Sequence, residues 1–346
     1  MAGRKRTVIL AAAALVIVFG IFGVFYSRRQ QVDPISATAF KLNTVVTVTL
    51  YDSQDQEILD GALALCDEYE RIFSRTLEES ELYRLNAGEL PEEDGGYTLS
   101  DPMAELTAAG LYYGELSDGA FDISIAPVSS LWDFTSGEGS VPDSGAIAAA
   151  LELVNYRDVS LEGDEIRFAK EGMQLDLGAV AKGYIADRIK DYLLEQGVES
   201  AIIDLGGNIL CVGSRPGGDP FRIGLQRPFA SRSETVATVE ITDKSVVSSG
   251  IYERYFEEDG VLYHHILNPE TGYPYDNGLV SVTIISDESV DGDGLSTSCF
   301  ALGLEKGMEL INSLPDVQAV FITEDGELHF SEGFEEELTV EMVNMN

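Results

Sequence analysis

The sequence predicts a mixed α+β domain, with largely antiparallel sheets and packed helices, preceded by one N-terminal transmembrane helix. Three observations predict it. Strand and helix patterns do not alternate strictly along the chain, which disfavours a doubly wound parallel sheet. Apolar residues make up 45% of the 346 residues, enough for a packed core. The first 29 residues hold a long uncharged apolar run, whereas the rest reads as short amphipathic elements.

That run, Val8 to Tyr26, is 19 residues long, close to the ~20 a helix needs to cross a bilayer core. Arg4-Lys5-Arg6 precede it and Arg28-Arg29 follow it. A cleaved signal peptide would have a shorter apolar region and a small-residue cleavage site, and Gly-Val-Phe-Tyr-Ser-Arg-Arg is a poor one. No Cys follows to carry a lipid. The expected organisation is therefore a cytoplasmic stub and anchor over 1–29, a polar tether over 30–39 and the main domain over 40–346. The basic N-terminus favours keeping the short end cytoplasmic and the bulk outside.

Charge is distributed unevenly. The whole chain has 22 Lys+Arg against 60 Asp+Glu, a net charge of -38. Setting aside the five basic residues of the head leaves 17 basic against 60 acidic residues. Such a body repels phosphodiester backbones, so nucleic acid is excluded as an expected partner. Cys66, Cys211 and Cys299 are odd in number and far apart, which fits buried thiols rather than a disulfide framework or a zinc site.

The elements follow in order. Thr44 to Tyr51 alternates with period two, a strand. Gln56–Phe73 and Asp101–Leu116 are helical patterns, the second with Ser100 as cap and Pro102 in its first turn. Residues 135–144 form a polar loop. Val159–Leu161 and Ile166–Phe168 flank Gly163-Asp164, a hairpin. Gln174–Leu177 reads as a short strand and Val180–Gln196 as a helix stopped by Gly197. Strands are expected at Ala201–Leu205, Ile209–Val212, Arg222–Leu225, Val236–Ile241 and Val280–Ile285. Helices over 291–302 and on through Ser313 precede a last hairpin, Val317–Ile322 with Leu328–Phe330.

Several stretches could carry chemistry. Leu175-Asp176-Leu177-Gly178-Ala179-Val180-Ala181-Lys182-Gly183 runs from extended chain through a small-residue turn into a helix start. Free N–H groups and the helix dipole there favour an anion, and Lys182 in the first turn suits a phosphate. A plain tight turn with a solvated Lys fits the pattern equally. Asp293 and Thr297 stand at i and i+4 on one helix face. One carboxylate and one hydroxyl suit Mg²⁺, which keeps waters and takes phosphate oxygens, though an ordinary cap would look the same. Tyr263-His264-His265-Ile266-Leu267-Asn268-Pro269 places adjacent His side chains on opposite faces of a strand end. One could serve as a base near neutral pH; the other, and His329, read as structural or exposed. Asp204-Leu205-Gly206-Gly207-Asn208 marks a tight turn or a close ligand approach. Ser117-Asp118-Gly119-Ala120-Phe121-Asp122 is a helix stop or a ligand loop.

Together with Phe40-Lys41-Leu42-Asn43-Thr44, Ser80-Glu81-Leu82-Tyr83-Arg84-Leu85-Asn86 and Ser249-Gly250-Ile251-Tyr252-Glu253-Arg254-Tyr255-Phe256, these stretches, in this order, resemble the FAD:protein FMN transferase (ApbE) family over roughly 38–334. The resemblance implies Mg²⁺-dependent transfer of FMN from FAD to a Thr or Ser hydroxyl of an acceptor protein, with release of AMP. It implies metal ligation by the Ala179 carbonyl, Asp293 and Thr297. It also implies FAD contacts at Leu42, Phe121, Asp122, Asp176, Lys182 and near Ile266, and a catalytic base at His265. The acceptor would carry an Asp/Glu-x-x-Ser/Thr-Gly-Ala/Ser-Thr type motif, as a membrane redox subunit or an extracytoplasmic flavoprotein. Leu42 stands where Met is frequent in the family, Asn43 where Gly is, Asn268 where Asp is, and Gly294 where Ala is. None of these removes a catalytic group. An FAD pyrophosphatase giving FMN and AMP, or a non-catalytic flavin-binding protein, are the alternatives.

Overall fold

A computed structural model describes residues 32–136, 139–231 and 233–343. The expected anchor, Val8 to Tyr26, lies outside these residues. Among the described residues no helix is long and apolar enough to cross a membrane.

The described residues open with the hairpin β1 (Ile35–Lys41) and β2 (Thr44–Leu50), then α1 (Gln56–Phe73) and α2 (Glu81–Asn86). Two short strands follow, β3 (Glu92–Glu93) and β4 (Gly96–Thr98), then helices α3 (Asp101–Leu116), α4 (Ala126–Ser129) and α5 (Ser144–Leu151). The hairpin β5 (Val159–Glu162) and β6 (Glu165–Phe168) precedes α6 (Ala181–Glu195). A run of strands comes next: β7 (Ser200–Leu205), β8 (Ile209–Gly213), β9 (Phe221–Gln226), β10 (Thr235–Ile241) and β11 (Ser245–Gly250). After β12 (Tyr255–Glu258), β13 (Val261–His264) and β14 (Leu279–Ser286) comes the longest helix, α7 (Ser289–Ser313). The chain closes with β15 (Gln318–Thr323), β16 (Leu328–Phe330), α8 (Phe334–Glu337) and β17 (Thr339–Met342).

Eight strands form one antiparallel sheet in the order β1-β2-β7-β8-β11-β14-β15-β16. Every residue of β14 is buried, as befits a strand covered on both faces. Alternation divides its side chains between two cores. Val282 and Ile284 join the helical layer, whereas Ile285 packs with Val320, Phe221 and Val239 under the three-stranded sheet β17-β10-β9. A third, smaller cluster of Val128, Trp132, Ile147, Phe256 and Leu267 lies under the β12–β13 hairpin. The fold is thus the expected α+β arrangement of antiparallel sheets with packed helices. Helix α7 continues past Gly303, where a φ of 79° marks the expected break between its two halves.

Two local expectations are corrected. The stretch 30–39 is not all tether: from Ile35 it is the edge strand β1, paired with β2 from Ile35↔Leu50 to Lys41↔Thr44. Residues Gln174–Leu177 join no sheet. Instead the Asn86 side chain stands in for a neighbouring strand, donating from Nδ2 to the Leu175 carbonyl (2.8 Å) and accepting from the Leu175 N–H at Oδ1 (2.7 Å). The pattern of apolar residues was strand-like because Leu175 and Leu177 are fully buried. All three cysteines are buried free thiols, and burial pushes their pKa values up, to about 11 for Cys66 and about 12 for Cys211 and Cys299.

Candidate active site

The site forms where the start of α6 meets the start of α7. Gly183 permits the approach: a Cβ there would stand 2.3 Å from the Ser289 carbonyl oxygen and 2.6 Å from the Val290 Cα. Glu288, the residue before α7, gives no side-chain cap. Asp187 of α6 supplies one, accepting from the N–H groups of Ser289 (2.7 Å) and Val290 (2.9 Å). Burial of that carboxyl raises its pKa to about 7 against the lowering effect of those two donors. Gly292 and Gly294 face inward on the same first turns, where a Cβ would meet Val247 at 2.5 Å and the Tyr113 ring at 2.2 Å. The Tyr113 hydroxyl donates to Asp291 Oδ1 at 2.6 Å.

Asp293 is buried in this seam, and burial raises its pKa. Its Oδ2 accepts from the Gly183 N–H (2.6 Å) and its Oδ1 from Asn208 Nδ2 (3.0 Å). Those donors and the Lys182 charge favour the carboxylate form. Asn208 is itself fixed, accepting from Ser289 Oγ at 2.8 Å. Gly183 lies in the first turn of α6, whose N–H groups have no acceptor within the helix, and Asp293 supplies one. The Ala179 carbonyl, ahead of the helix, accepts no backbone hydrogen bond among the described residues. Thr297, one turn after Asp293, is half-buried and lies 3.0 Å from Ser249 Oγ.

The turn before α6 carries Asp176 and Lys182. Asp176 Oδ1 accepts from the Gly178 N–H (3.0 Å), while Oδ2 accepts from Ser129 Oγ (2.9 Å) and pairs with Arg75 Nε (3.4 Å). Arg75 also donates to the hydroxyls of Ser129 and Ser130. The half-buried Lys182 makes no hydrogen bond or ion pair among the described residues. Its charge acts on both Asp293 and His265.

The two adjacent histidines face opposite ways, as period-two geometry requires. His264 is buried against Phe300, with Nε2 on the Tyr275 carbonyl (2.9 Å) and Nδ1 accepting from the Ile266 N–H (3.3 Å). Burial lowers its pKa, and the ring is a neutral fixture. His265 is half-buried, and its Nδ1 lies 3.2 Å from the Arg254 carbonyl. A carbonyl only accepts, so Nδ1 carries the proton and the Nε2 lone pair is free. Burial, followed by the charges of Arg254, His264 and Lys182, pushes the His265 pKa down to about 3.

The remaining expected residues are placed less openly. Leu42 and Asn43 form the two-residue tip of the β1–β2 hairpin, both left-handed, with φ of 54° and 56°. The Phe121 ring is turned into the core, edge-on to Tyr113 at 6.0 Å. Asp122 is occupied by the Ser124 N–H (2.7 Å), the Ser124 hydroxyl (2.6 Å) and the Tyr156 N–H (2.8 Å). Ile266 is buried, with its carbonyl accepting from the Tyr275 N–H at 3.0 Å. Sequence reasoning missed Asn208, Asp187 and Ser249 as supports. Asn208 and Ser249 sit in stretches it had singled out, but nothing in a linear pattern says which carboxylate or hydroxyl they meet.

The candidate donors are hard oxygens only: the buried Asp293 carboxylate, the Ala179 carbonyl ahead of α6 and the Thr297 hydroxyl. Among the described residues there is no group of three or more His, Cys, Asp or Glu that could hold a metal. This sparse set fits Mg²⁺ completed by phosphate oxygens and water, and does not fit zinc or an all-protein calcium cage.

An antiparallel α+β domain with a helix-start lysine, a seam lined by oxygen donors and a neutral histidine has the equipment to handle a phosphorylated ligand. The chain belongs to the ApbE family, whose model matches residues 42–321. It is 39% identical over 300 residues to an FAD:protein FMN transferase of Klebsiella pneumoniae (strain 342), covering 86% of this chain and 91% of that protein. An FAD:protein FMN transferase of Treponema pallidum (strain Nichols) is 33% identical over 333 residues, with 90% and 91% covered. Among solved structures, the ApbE protein of Thermotoga maritima superposes with a TM-score of 0.79 at 30% identity, covering 88% of this chain and 99% of that one. The apo flavinyl transferase ApbE of Pseudomonas stutzeri gives 0.76 at 31% identity, with 88% and 96% covered.

Proposed function

We propose that this chain transfers FMN from FAD to a Thr or Ser hydroxyl of an acceptor flavoprotein. The hydroxyl oxygen bonds to the FMN-side phosphorus, the pyrophosphate P–O bond breaks, and AMP leaves. The single observation that carries the reading is the Gly183–Asp293 hydrogen bond. It brings the small-residue turn, its lysine and a buried carboxylate to one point.

Ala179 O, Asp293 and Thr297 would hold Mg²⁺, which supplies charge stabilisation for the phosphoryl group and its leaving oxygen. Lys182, through its side chain and its backbone N–H, would bind pyrophosphate oxygens against the acidic field of the whole chain. His265 Nε2 would take the acceptor hydroxyl's proton, with the ring held in the required tautomer by the Arg254 carbonyl. A bound anionic pyrophosphate beside the ring favours its protonated form and so strengthens this base. Asp176 and the backbone near Leu42, Phe121, Asp122 and Ile266 would position the rest of FAD. With Phe121 and Asp122 committed to the interior, their contribution is backbone placement.

The acceptor would bear the Asp/Glu-x-x-Ser/Thr-Gly-Ala/Ser-Thr type motif. The apolar head of the sequence would anchor the enzyme in the cell membrane with its catalytic domain outside. The deciding experiment incubates purified protein with FAD, Mg²⁺ and a motif-bearing acceptor. Mass spectrometry should find one FMN added to the acceptor hydroxyl, with stoichiometric AMP. AMP release without acceptor labelling identifies a pyrophosphatase, and FAD binding without AMP identifies a flavin carrier.

A further inference from the structure

Four oxygen atoms, ending on the Asp293 carbonyl, form a hydrogen-bonded chain. Ser296 Oγ lies 3.1 Å from the Asp293 carbonyl, which only accepts, so the single Ser296 proton is used there. With the Ser296 proton on that carbonyl, Ser249 Oγ, 2.8 Å from Ser296 Oγ, donates to it. The Ser249 proton is then spent as well, and in this arrangement Thr297 Oγ1, 3.0 Å from Ser249 Oγ, donates to Ser249. The series runs Thr297 to Ser249 to Ser296 to the Asp293 carbonyl. Its result is that the Thr297 proton points toward β11 and both lone pairs of that hydroxyl oxygen are left on the other side.

We infer that Ser249 is a positioning residue for the metal site: it accepts the Thr297 proton and so presents the Thr297 oxygen as a ligand. The inference rests on the proposed Mg²⁺ site and deepens it. Ser249 reaches Thr297 from the separate strand β11, so the helix alone does not set this orientation. Without Ser249 the hydroxyl is free to turn and donate elsewhere, for example to a carbonyl of its own helix. Its lone pairs would then no longer be held toward a cation. Partners that orient a metal ligand typically account for 10–100-fold in affinity.

The test is Mn²⁺ binding read by loss of the free-ion EPR signal, with FAD present and acceptor absent. Ser249→Ala should weaken Mn²⁺ by about 10–100-fold, and Ser249→Thr, which restores an acceptor oxygen, should recover most of it. Ser296→Ala, one link further on, should give a smaller loss. Combining Ser249→Ala with Thr297→Ala should cost no more than Thr297→Ala alone, because Ser249 acts only through Thr297. Additive losses, or wild-type affinity in Ser249→Ala while Asp293→Ala and Thr297→Ala are weakened, would overturn the inference and leave the metal site standing. Undiminished affinity in Asp293→Ala and Thr297→Ala would overturn the metal site and the inference together.

Discussion

His264 and His265 are chain neighbours with opposite attachments. The first holds the Tyr275 carbonyl through Nε2 at 2.9 Å, and the second holds the Arg254 carbonyl through Nδ1 at 3.2 Å. Only the second leaves its outer nitrogen unprotonated and unbonded among the described residues. His265→Ala should therefore lower FMN transfer by about 10²–10⁴-fold, the usual range for a general base, while FAD affinity stays within a few-fold. Equilibrium FAD binding and single-turnover transfer on the same variant separate the two. Unchanged transfer would remove His265 from the mechanism.

The pH profile follows from the direction of the shift. A pKa lowered to about 3 leaves His265 unprotonated in the free enzyme at every pH well above that. The kcat/KM for transfer, which reports the free enzyme, should then show no histidine break between about pH 5 and 8. A limb with a midpoint near 6.5 that vanishes in His265→Ala would contradict this reading.

Asp187 makes a prediction about stability. Its folded pKa, about 7, is above the ordinary carboxyl value of 3.8, so the native state holds the extra proton. The contribution is fully present below about pH 4 and is lost as pH rises toward 7. Asp187→Asn removes the titration and one of the two acceptors that cap α7. Its melting temperature should be lower than wild type at pH 5, with the gap narrowing toward pH 8. Thermal melts across that range check it; parallel curves for the two proteins would refute the assignment.

Gly294 and Tyr113 occupy one space. Adding a Cβ at Gly294 places it 2.2 Å from the Tyr113 ring, so Gly294→Ala should cost about 1–3 kcal/mol by overpacking. Tyr113→Leu combined with Gly294→Ala should cost less than the sum of the two single changes. Chemical denaturation of the four proteins measures the coupling.

At the hairpin tip, Leu42 is left-handed with no side-chain reason of its own, a conformation that costs roughly 1–2 kcal/mol for a branched residue. Leu42→Gly should raise the melting temperature and weaken FAD binding, the signature of strain retained at a functional position. Calorimetry paired with FAD titration gives both signs, and tighter FAD binding would exclude Leu42 from the site.

What was legible in the sequence depended on distance along the chain. The helices Gln56–Phe73 and Asp101–Leu116 were readable because periodicity and caps are local signals. So were the ligand candidates Asp293 and Thr297, one turn apart on one face. The edge strand β1 looks like tether in the sequence, because Ile35-Ser-Ala-Thr-Ala is small and polar and its identity comes only from pairing with β2. Gln174–Leu177 looked like a strand for the opposite reason: its burial pattern is right, but a single Asn86 amide, 89 residues away, replaces the neighbouring strand. The supports of the site, Asn208, Asp187 and Ser249, act across 85, 102 and 48 residues. Contacts of that range leave no spacing rule behind them.

The hydrogen bonds between α6 and α7 run in both directions. Asp187 of α6 completes the open end of α7, and Asp293 of α7 receives the N–H that the open end of α6 would otherwise keep. Neither helix start is complete until the other is in place. The Gly183, Ser289 and Val290 amides should therefore exchange with solvent as one cooperative unit, opening together or not at all. A cation or a pyrophosphate bound at that junction would then slow all three at once. Protection of these three amides would thus report directly on whether a ligand is bound there.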